Sequence, residues 1–339
     1  MVSAAAVGIL GTGRALGSRV HTNEELCATT LRDVSPAWIV EKTGIRQRYL
    51  VTDAESTSTL ALEAAQRALA NASVDPDQIG MVVVSTFSGD YLFPAASARL
   101  HQDLGLKGGQ FYDVQANCTG FISAITAVSD RMMRDPSIGY AIVMGAEVLS
   151  PYVDYTDVET AIFFSDGAGA VILGPVKEGR GVQASAFFAD TSNVESVRLR
   201  GGGSRFPYAA QAGRSEPGPG WMEMNGLATW KQAVTHLPGT IRRACNASGW
   251  TPDSVDLFVF HQANLQIISY VMAKMRIPMS RTFTNVQEIG NAGAASIPIA
   301  LADAVAAGAL STGSRLVLAG VGAGFTFGAT CLVWEDATT

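Results

Sequence analysis

An internal repeat limits the fold of this chain more than any other feature of its sequence. The stretch ANASVDPDQIGMVVVST, residues 70–86, is echoed by CNASGWTPDSVDLFVFHQ, residues 245–262. Each copy follows a helix-like segment, at 57–71 and at 230–247, and passes from Asn-Ala-Ser through Pro-Asp into an apolar strand. Because several features recur in the same order about half a chain length apart, the sequence predicts a duplication rather than a solenoid of short repeats.

A second pair of segments supports the duplication. AIVMGAEVLS and SDGAGAVILG in the first half parallel RLVLAGVGAG and FTFGATCLVW in the second. Helix-then-strand units with continuous apolar strands are typical of sheets covered on both faces. We therefore predict an α/β fold of two similar halves, residues 1–176 and 177–339, packed on each other.

Composition and charge narrow the functional classes. The 339 residues are 47% hydrophobic and 16% charged, which predicts a large core rather than disorder. The net charge of -6, with no basic block, argues against a nucleic-acid partner. The scattered cysteines contain no CxxC pair, so they predict neither a zinc site nor a disulfide framework and fit a reducing cytoplasm; they are Cys27, Cys118, Cys245 and Cys331.

Several further classes are disfavoured by local patterns. The start, MVSAAAVGIL, lacks a basic region and predicts a first strand rather than a signal peptide. The apolar stretch 294–310 is broken by Pro298 and Asp303, so no membrane span is expected. The glycines of GILGTGRALG have the wrong spacing for a dinucleotide fingerprint and indicate a tight turn after the first strand. No cofactor or metal is expected, since three histidines show no metal-ligand spacing: His21, His101 and His236.

Cys118 lies in DVQANCTGFISA, between a strand-like segment at 108–114 and a helix-like segment at 120–134. A cysteine at a helix N-terminus sits at the positive end of the helix dipole, which lowers the thiol pKa and favours the nucleophilic thiolate. Small neighbours, Thr119 and Gly120, leave room for a substrate. Taken alone, the local pattern favours the alternative, an inert cysteine in the core.

Two polar residues in the second half are candidate partners of this cysteine. His261 ends the apolar strand VDLFVF, at the edge where α/β proteins place ligands. Asn291 stands in GNAGAASIPIAL just before a helix, where a capping role is the alternative. If the halves pack about a pseudo-twofold axis, equivalent loops meet at one cleft. Cysteine would then attack an acyl thioester, while histidine and asparagine donate hydrogen bonds to a second thioester as it becomes an enolate.

Three segments, DVQANCTGF, FHQANLQII and GNAGAASIPIAL, closely resemble the signatures of the β-ketoacyl-acyl-carrier-protein synthase III family of the thiolase superfamily. SPAWIVEKTGIRQRYL, FFSDGAGAVILG and GVGAGFTFGATCLVW extend the resemblance along nearly the whole chain. The resemblance implies a duplicated, five-layered αβαβα thiolase fold, a homodimer, and an acyl carrier protein with acyl-CoA or acyl-carrier substrates.

The resemblance also assigns roles to residues. Cys118 would accept the acyl group, and His261 and Asn291 would bind the extender thioester and stabilise its enolate. The amides of Cys118 and Ala323 would form the oxyanion hole. Further substrate contacts would come from Trp38, stacking on adenine; from Phe93, reaching into the partner subunit's acyl pocket; and from Asn264 and Phe325, which lie in the HQANL and GVGAGF motifs.

The chain departs from the family at three positions. Val158 and Gln266 stand where arginines usually contact the nucleotide and the carrier protein, and Lys42 replaces a loop arginine. Arginine and lysine are not equivalent in bidentate phosphate recognition. These departures predict weakened coenzyme A binding, although neutral drift at a solvated rim gives the same pattern.

The substitutions favour a specialised synthase of polyketide or other secondary metabolism. It would condense the Cys118-bound acyl group with a carrier-bound malonyl or β-ketoacyl thioester. Alternatives are the joining of two carrier-bound β-ketoacyl chains, acyl transfer to a hydroxyl or amine, and, least favoured, a non-enzymatic scaffold. A biosynthetic thiolase is disfavoured because the GVGAGF loop lacks a second cysteine. The loop 201–220 either covers the acyl tunnel or is a surface excursion.

Overall fold

A computed structural model describes residues 6–207 and 220–336 of the chain. Its helices are α1 Asn23–Thr29, α2 Pro36–Thr43, α3 Thr57–Ala72, α4 Ala96–Asp103, α5 Gly120–Arg134, α6 Val158–Ala161, α7 Gly226–Ala247, α8 Leu265–Met275, α9 Val286–Ile289 and α10 Ser296–Ala306. Its strands are β1 Ala6–Leu16, β2 Arg19–Thr22, β3 Gln47–Leu50, β4 Ile79–Ser85, β5 Gln110–Val114, β6 Tyr140–Glu147, β7 Gly167–Val176, β8 Gly181–Ala189, β9 Val197–Leu199, β10 Met222–Met224, β11 Leu257–Phe260, β12 Thr282–Phe283, β13 Arg315–Gly322 and β14 Thr326–Val333.

Two five-stranded sheets share one topology. The first has the order β1-β7-β6-β4-β5, and the second, read from its other edge, has the order β8-β14-β13-β11-β12. In both sheets the last three strands are mutually parallel and the first two pair antiparallel. The predicted duplication is therefore confirmed strand by strand, and the chain passes from one sheet to the other between Val176 and Gly181.

Helices complete five layers around the two sheets. α3 packs on the outer face of the first sheet, and α7 packs on the outer face of the second. α5 and α10 lie between the sheets and share one core with strands of both. The apolar residues of α5 fall on one face, whereas α10 is buried nearly all round its circumference. This difference follows from position, because a helix enclosed on all sides needs no polar face.

The repeated sequence motif has the same local structure in both halves. Asn-Ala-Ser ends α3 in one half and α7 in the other. A short 3₁₀ turn then begins at Pro76 or Pro252, where proline has no amide hydrogen that would need a partner. The strands β4 and β11 follow within three residues. The second helix begins at Gly226, earlier than the 230 read from the sequence, because Asn225 caps it.

The glycines near the N-terminus play a part that the sequence prediction missed. Gly11 and Gly13 lie inside β1 rather than in a turn after it. A Cβ atom at either position would come within 2.5 Å of the backbone of α3. These glycines therefore let the helix pack directly on the strand, and the prediction of a tight turn is wrong for them. Gly17, the last glycine of the stretch, does lie in the two-residue connection between β1 and β2.

A smaller hydrophobic cluster covers the edge of the fold next to the predicted nucleophile. It joins α1 and α2 to the segment 149–164 and to the two short strands β9 and β10. No helix in the described ranges is long and apolar enough to cross a membrane.

Candidate active site

Cys118 sits in a 3₁₀ turn, Asn117–Thr119, that leads directly into α5. The sequence prediction of a strand, a turn and a helix over 108–134 is confirmed. Gly120, at the start of α5, packs so closely on Ser85 that a Cβ atom there would lie 1.9 Å from the serine oxygen. Cys118 is partly exposed while its neighbours Thr119 and Gly120 are buried, so the residue lies at the surface of the core.

His261 follows β11 and is buried, with 7% of its surface exposed. Its backbone N–H donates to the carbonyl of Ala319 on β13, at 2.8 Å. Its Nδ1 lies 2.6 Å from the hydroxyl of Ser296, the first residue of α10. That hydroxyl also accepts the N–H of Gln262. In the tautomer in which the hydroxyl donates to Nδ1, Nε2 carries the ring proton and is the donor that the predicted role of His261 needs.

Asn291 is fixed by the first half of the chain. Its backbone N–H donates to Phe163, and its carbonyl accepts the N–H of Ser165, both at 2.9 Å. The side-chain Oδ1 accepts the N–H of Gly293 at 3.0 Å. Within residues 6–207 and 220–336, Nδ2 has no hydrogen-bond acceptor among the protein groups, so it remains available as a donor.

The end of β13 brings the three candidate residues together. A Cβ atom at Gly320 would lie 3.2 Å from the Cβ of His261, and one at Gly322 would lie 3.2 Å from the backbone N of Cys118. Side chains two residues apart point to the same face of a strand and are separated by roughly 7 Å. The 3₁₀ turn that follows Asn291, residues 293–295, packs against the turn of Cys118. The segments that carry Cys118, His261 and Asn291 therefore lie next to one another, and the action of the three side chains on one substrate stays a prediction.

The two backbone amides predicted to form an oxyanion hole belong to Cys118 and Ala323, and this role stays a prediction. In the described part of the chain, neither the Cys118 N–H nor the Ala323 N–H donates to a backbone carbonyl. Ala323 directly follows Gly322, whose missing side chain lets the two peptide groups approach. Amides that donate to no carbonyl of the protein can stabilise negative charge on a substrate carbonyl oxygen toward which they point.

The expected lowering of the Cys118 pKa is not observed, and that prediction is wrong for the unliganded site. Burial of the thiol, and secondly the charge of Glu147, raise the pKa of Cys118 to about 12. The residue keeps some exposed surface, but its sulfur lies deep enough for loss of hydration to dominate. A resident thiolate is therefore disfavoured at Cys118, and any reaction of its sulfur has to include loss of the thiol proton.

Glu147 is a buried carboxyl at the end of β6, directly beneath the turn that follows Asn291. It accepts hydrogen bonds from Thr86 and Ser88 hydroxyls and from the backbone N–H groups of Phe87 and Ala294. Burial nevertheless raises its pKa to about 8. Burial likewise lowers the pKa of His261 to about 4, so the imidazole is neutral near pH 7.

The other residues predicted to contact substrate differ in solvent exposure and in hydrogen bonding. Trp38, on α2, is 38% exposed, and Phe93 is 84% exposed. Asn264 caps α8, since its Oδ1 accepts from Gln266 and its Nδ2 donates to the carbonyl of Lys42. Phe325 is buried in the core of the second half. Substrate binding by these residues, and by the site as a whole, stays a prediction.

Of the three positions at which the chain departs from the family that it resembles, one carries a cation, and that cation is paired with a carboxylate. Val158 packs against the smaller hydrophobic cluster that joins α1, α2, the segment 149–164, β9 and β10. The Gln266 side chain donates to the carbonyl of Glu41 at 2.9 Å, and the Lys42 ammonium lies 3.2 Å from the Glu41 carboxylate. Most of the loop predicted at 201–220 lies outside the described residues, since 208–219 are not described.

Sequence reasoning overlooked three residues of this site. Ser296 sets the histidine tautomer, Glu147 supports the turn after Asn291, and Asn117 contacts Ala323. Only Glu147 has a recognisable signal, an acidic residue that ends the apolar run AIVMGA. No group of three or more potential metal-ligating side chains is found in the described ranges.

Comparison with known proteins places this geometry in a family. Residues 112–191 match the family model 3-oxoacyl-[acyl-carrier-protein] synthase III, and residues 245–334 match the model of its C-terminal part. The chain is 39% identical to the β-ketoacyl-[acyl-carrier-protein] synthase III of Rhizorhabdus wittichii over 326 residues, which cover 96% of this chain and 98% of the relative.

Solved structures agree with this assignment. The chain superimposes on 3-oxoacyl-(acyl carrier protein) synthase III of Pseudomonas aeruginosa with a TM-score of 0.88 and 33% identity, covering 98% of this chain and all of the other. The priming β-ketosynthase of the R1128 polyketide biosynthetic pathway gives a TM-score of 0.91 at 27% identity, with 100% and 99% covered. The predicted thiolase-like fold is confirmed. The chain belongs to the β-ketoacyl-[acyl-carrier-protein] synthase III family and is an acyltransferase of that family.

Proposed function

We propose that the protein condenses an acyl group held on Cys118 with a carrier-bound malonyl or β-ketoacyl thioester, in polyketide or other secondary-metabolite biosynthesis. The observation that supports this proposal is the proximity of the segments that carry Cys118, His261 and Asn291, beside two backbone amides that donate to no backbone carbonyl. The likeness to a priming β-ketosynthase supports the choice of pathway class.

In the first half-reaction, the sulfur of Cys118 attacks the acyl thioester. A new sulfur–carbon bond forms while the bond from the acyl carbon to the donor sulfur breaks, and the thiol proton leaves with the donor thiol. The amides of Cys118 and Ala323 stabilise the oxyanion of the tetrahedral intermediate. Because the Cys118 pKa is high, the negative charge passes through the site only during this step.

The second half-reaction uses the residues of the second half of the chain. Loss of carbon dioxide from a malonyl thioester leaves an electron pair that becomes an enolate. The enolate oxygen accepts hydrogen bonds from Nε2 of His261 and Nδ2 of Asn291. Its carbon then attacks the acyl carbon on Cys118, the oxyanion forms at the same amides, and Cys118 leaves and regains a proton.

The rim of the site supports delivery of the acyl group on a carrier protein rather than on coenzyme A. Val158 offers an apolar side chain, and the charge of Lys42 is offset by Glu41. A nucleotide diphosphate therefore meets little positive charge there. A carrier protein presents its acyl chain on a phosphopantetheine arm and does not depend on a nucleotide contact.

This proposal is tested by loading the purified protein with one acyl group from two donors and measuring the intact protein mass over time. We expect acylation from the carrier protein to be at least about tenfold faster than from acyl-CoA at equal concentration. Val158→Arg should raise loading from acyl-CoA and leave loading from the carrier within about twofold. Equal loading from both donors in the unaltered protein would contradict the donor preference, and mass gain in Cys118→Ala would contradict the nucleophile.

A homodimer is also part of this proposal. Tyr91, Leu92 and Phe93 form a contiguous apolar run that is 71%, 87% and 84% exposed on the isolated chain. Apolar runs of this kind commonly mark protein interfaces. The run supports the prediction that Phe93 enters a partner subunit. Light scattering should give the mass of a dimer, and Phe93→Ser should weaken acylation by long acyl chains more than by short ones.

A further inference from the structure

Asn117 adopts a backbone conformation that helix capping does not explain. Among the described residues with side chains, only Ser73, Asn117 and Arg276 have positive φ. Ser73 and Arg276 are the C-caps of α3 and α8, where left-handed residues are usual. Asn117, with φ of 48°, instead opens the turn that carries the candidate nucleophile. Non-capping residues in this region commonly mark functional sites.

The side chain of Asn117 makes one specific long-range contact. Its Nδ2 donates to the carbonyl oxygen of Ala323 at 2.9 Å, across 206 residues of sequence. Ala323 lies in the short connection between β13 and β14. The contact therefore ties the nucleophile turn of the first half to the glycine-rich connection of the second half.

The two segments joined by this bond carry the two amides assigned to the oxyanion hole. The Cys118 N–H belongs to the peptide that follows Asn117, and the Ala323 N–H belongs to the peptide that precedes the accepting carbonyl. Gly322 has no side chain, and a Cβ atom there would contact Ala116 O, Cys118 N and Thr119 N at 3.0–3.2 Å. Gly322 thus permits the close approach, and Asn117 is placed to set its distance and orientation.

We propose that Asn117 is a positioning residue that holds the Cys118 and Ala323 amides in register for the oxyanion of acyl transfer. This inference rests on the proposed function, since it assumes that both amides face the reacting carbonyl. Asparagine meets both demands of the position, because it tolerates the left-handed backbone and supplies an N–H donor.

Three variants separate the backbone role from the hydrogen bond. Asn117→Gly keeps the left-handed turn and removes the donor. Asn117→Asp keeps the size and the turn preference but removes the N–H groups and adds negative charge. Asn117→Ala loses both and serves as the comparison for damage to the turn. Thermal unfolding of each variant shows whether the fold is retained.

The measurement is the single-turnover rate of Cys118 acylation at saturating donor, beside the rate of malonyl-thioester decarboxylation. We expect Asn117→Gly to acylate about tenfold more slowly and Asn117→Asp more slowly still, with KM for the donor nearly unchanged. Decarboxylation, which uses His261 and Asn291, should stay within about twofold. Acylation of Asn117→Gly at the unaltered rate, or an equal fall in both rates, would overturn the inference. Failure of the unaltered protein to become acylated at Cys118 would instead refute the proposed function.

Discussion

The two central helices begin in the same way but serve different parts of the chemistry. α5 is entered through a 3₁₀ turn of Asn-Cys-Thr, and α10 through a 3₁₀ turn of Gly-Ala-Ala. Each turn is accommodated by a glycine of the opposite half: Gly322 faces the turn of Cys118, and Gly145 faces the backbone of Ala294. The two halves thus contribute two equivalent helix entrances that lie in contact, and one carries Cys118 while the other carries only small residues.

The comparison shows that packing limits which side chains each helix entrance can carry. The turn 293–295 lies against Phe87, Glu147 and Leu149, so larger side chains have no room there. Its polar group, Asn291, comes two residues before the turn and is fixed from the first half. The turn of Cys118 packs closely on the strand end that carries Gly322. We therefore expect the two entrances to control separate half-reactions.

Cys118→Ala should give the largest effect. Without the sulfur no acyl-enzyme forms, and condensation should fall by at least about 10³-fold, as for other covalent nucleophiles. Malonyl-thioester decarboxylation should persist, because its proposed donors lie in the second half. Intact mass and carbon dioxide release measure the two steps in the same sample. Loss of both steps in a folded variant would contradict the proposal that acylation and decarboxylation depend on different residues.

Asn291→Ala should give the reciprocal result. Removing one donor to a developing oxyanion typically costs about 10²–10³-fold in rate. We expect condensation and decarboxylation to fall in this range, while acylation of Cys118 remains within about threefold. Asn291→Asp is the size-matched control, since it keeps the Oδ1 contact to Gly293 but offers no N–H donor. Slow acylation in both variants would show that the two entrances are not independent.

The two facing glycines should respond unequally to a methyl group. At Gly145 a Cβ atom would lie 2.2 Å from the Ala294 carbonyl oxygen, a backbone contact that cannot be relieved locally. Gly145→Ala should therefore lower the free energy of unfolding by roughly 1–3 kcal/mol or more. At Gly322 the nearest atoms are 3.0–3.2 Å away, so Gly322→Ala should fold normally and acylate several-fold more slowly. Urea unfolding and mass measurement distinguish these outcomes, and equal destabilisation would contradict this account.

Much of this architecture was predictable because it depends on periodic, local signals. The repeat of Asn-Ala-Ser, Pro-Asp and an apolar strand reports a duplicated helix and strand, and the structure contains both copies. Cys118, His261 and Asn291 were identified by the family motifs around them. The proximity of residues 118 and 261 depends on the topology, since β13 runs beside β11 and ends at the turn of Cys118.

The same motifs could not predict properties that depend on burial and on contacts between distant segments. A helix entrance suggested a low thiol pKa, but burial and a carboxyl group from another strand reverse the direction. The glycines of β1 were read as a turn because sequence does not show that α3 crosses them. Ser296 and Asn117 act through partners 35 and 206 residues away, a separation that no local pattern reports.

Changing Glu147 should have the smallest effect on catalytic rate among these variants. It tests whether this carboxyl, which supports the turn after Asn291, also affects the pKa of Cys118. Its pKa in the folded protein is about 8, well above the ordinary value of 4.5, so the fold favours the protonated form. The stability from this preference is complete below pH 4.5 and is lost as the pH rises through 8. Glu147→Gln mimics the protonated form and lacks this loss. The variant should therefore gain stability over the unaltered protein between pH 5 and 8, as measured by urea unfolding.

The same variant should change the pH dependence of acylation. Ionised Glu147 raises the pKa of Cys118, whereas protonated Glu147 does not. The acylation rate of the unaltered protein should therefore rise with pH as the thiol loses its proton more easily, but less steeply above pH 8. In Glu147→Gln the rise should continue without this bend, giving a few-fold faster acylation at pH 9 and little difference at pH 6.5. Identical profiles in both proteins would mean that the carboxyl supports the turn after Asn291 without affecting the nucleophile.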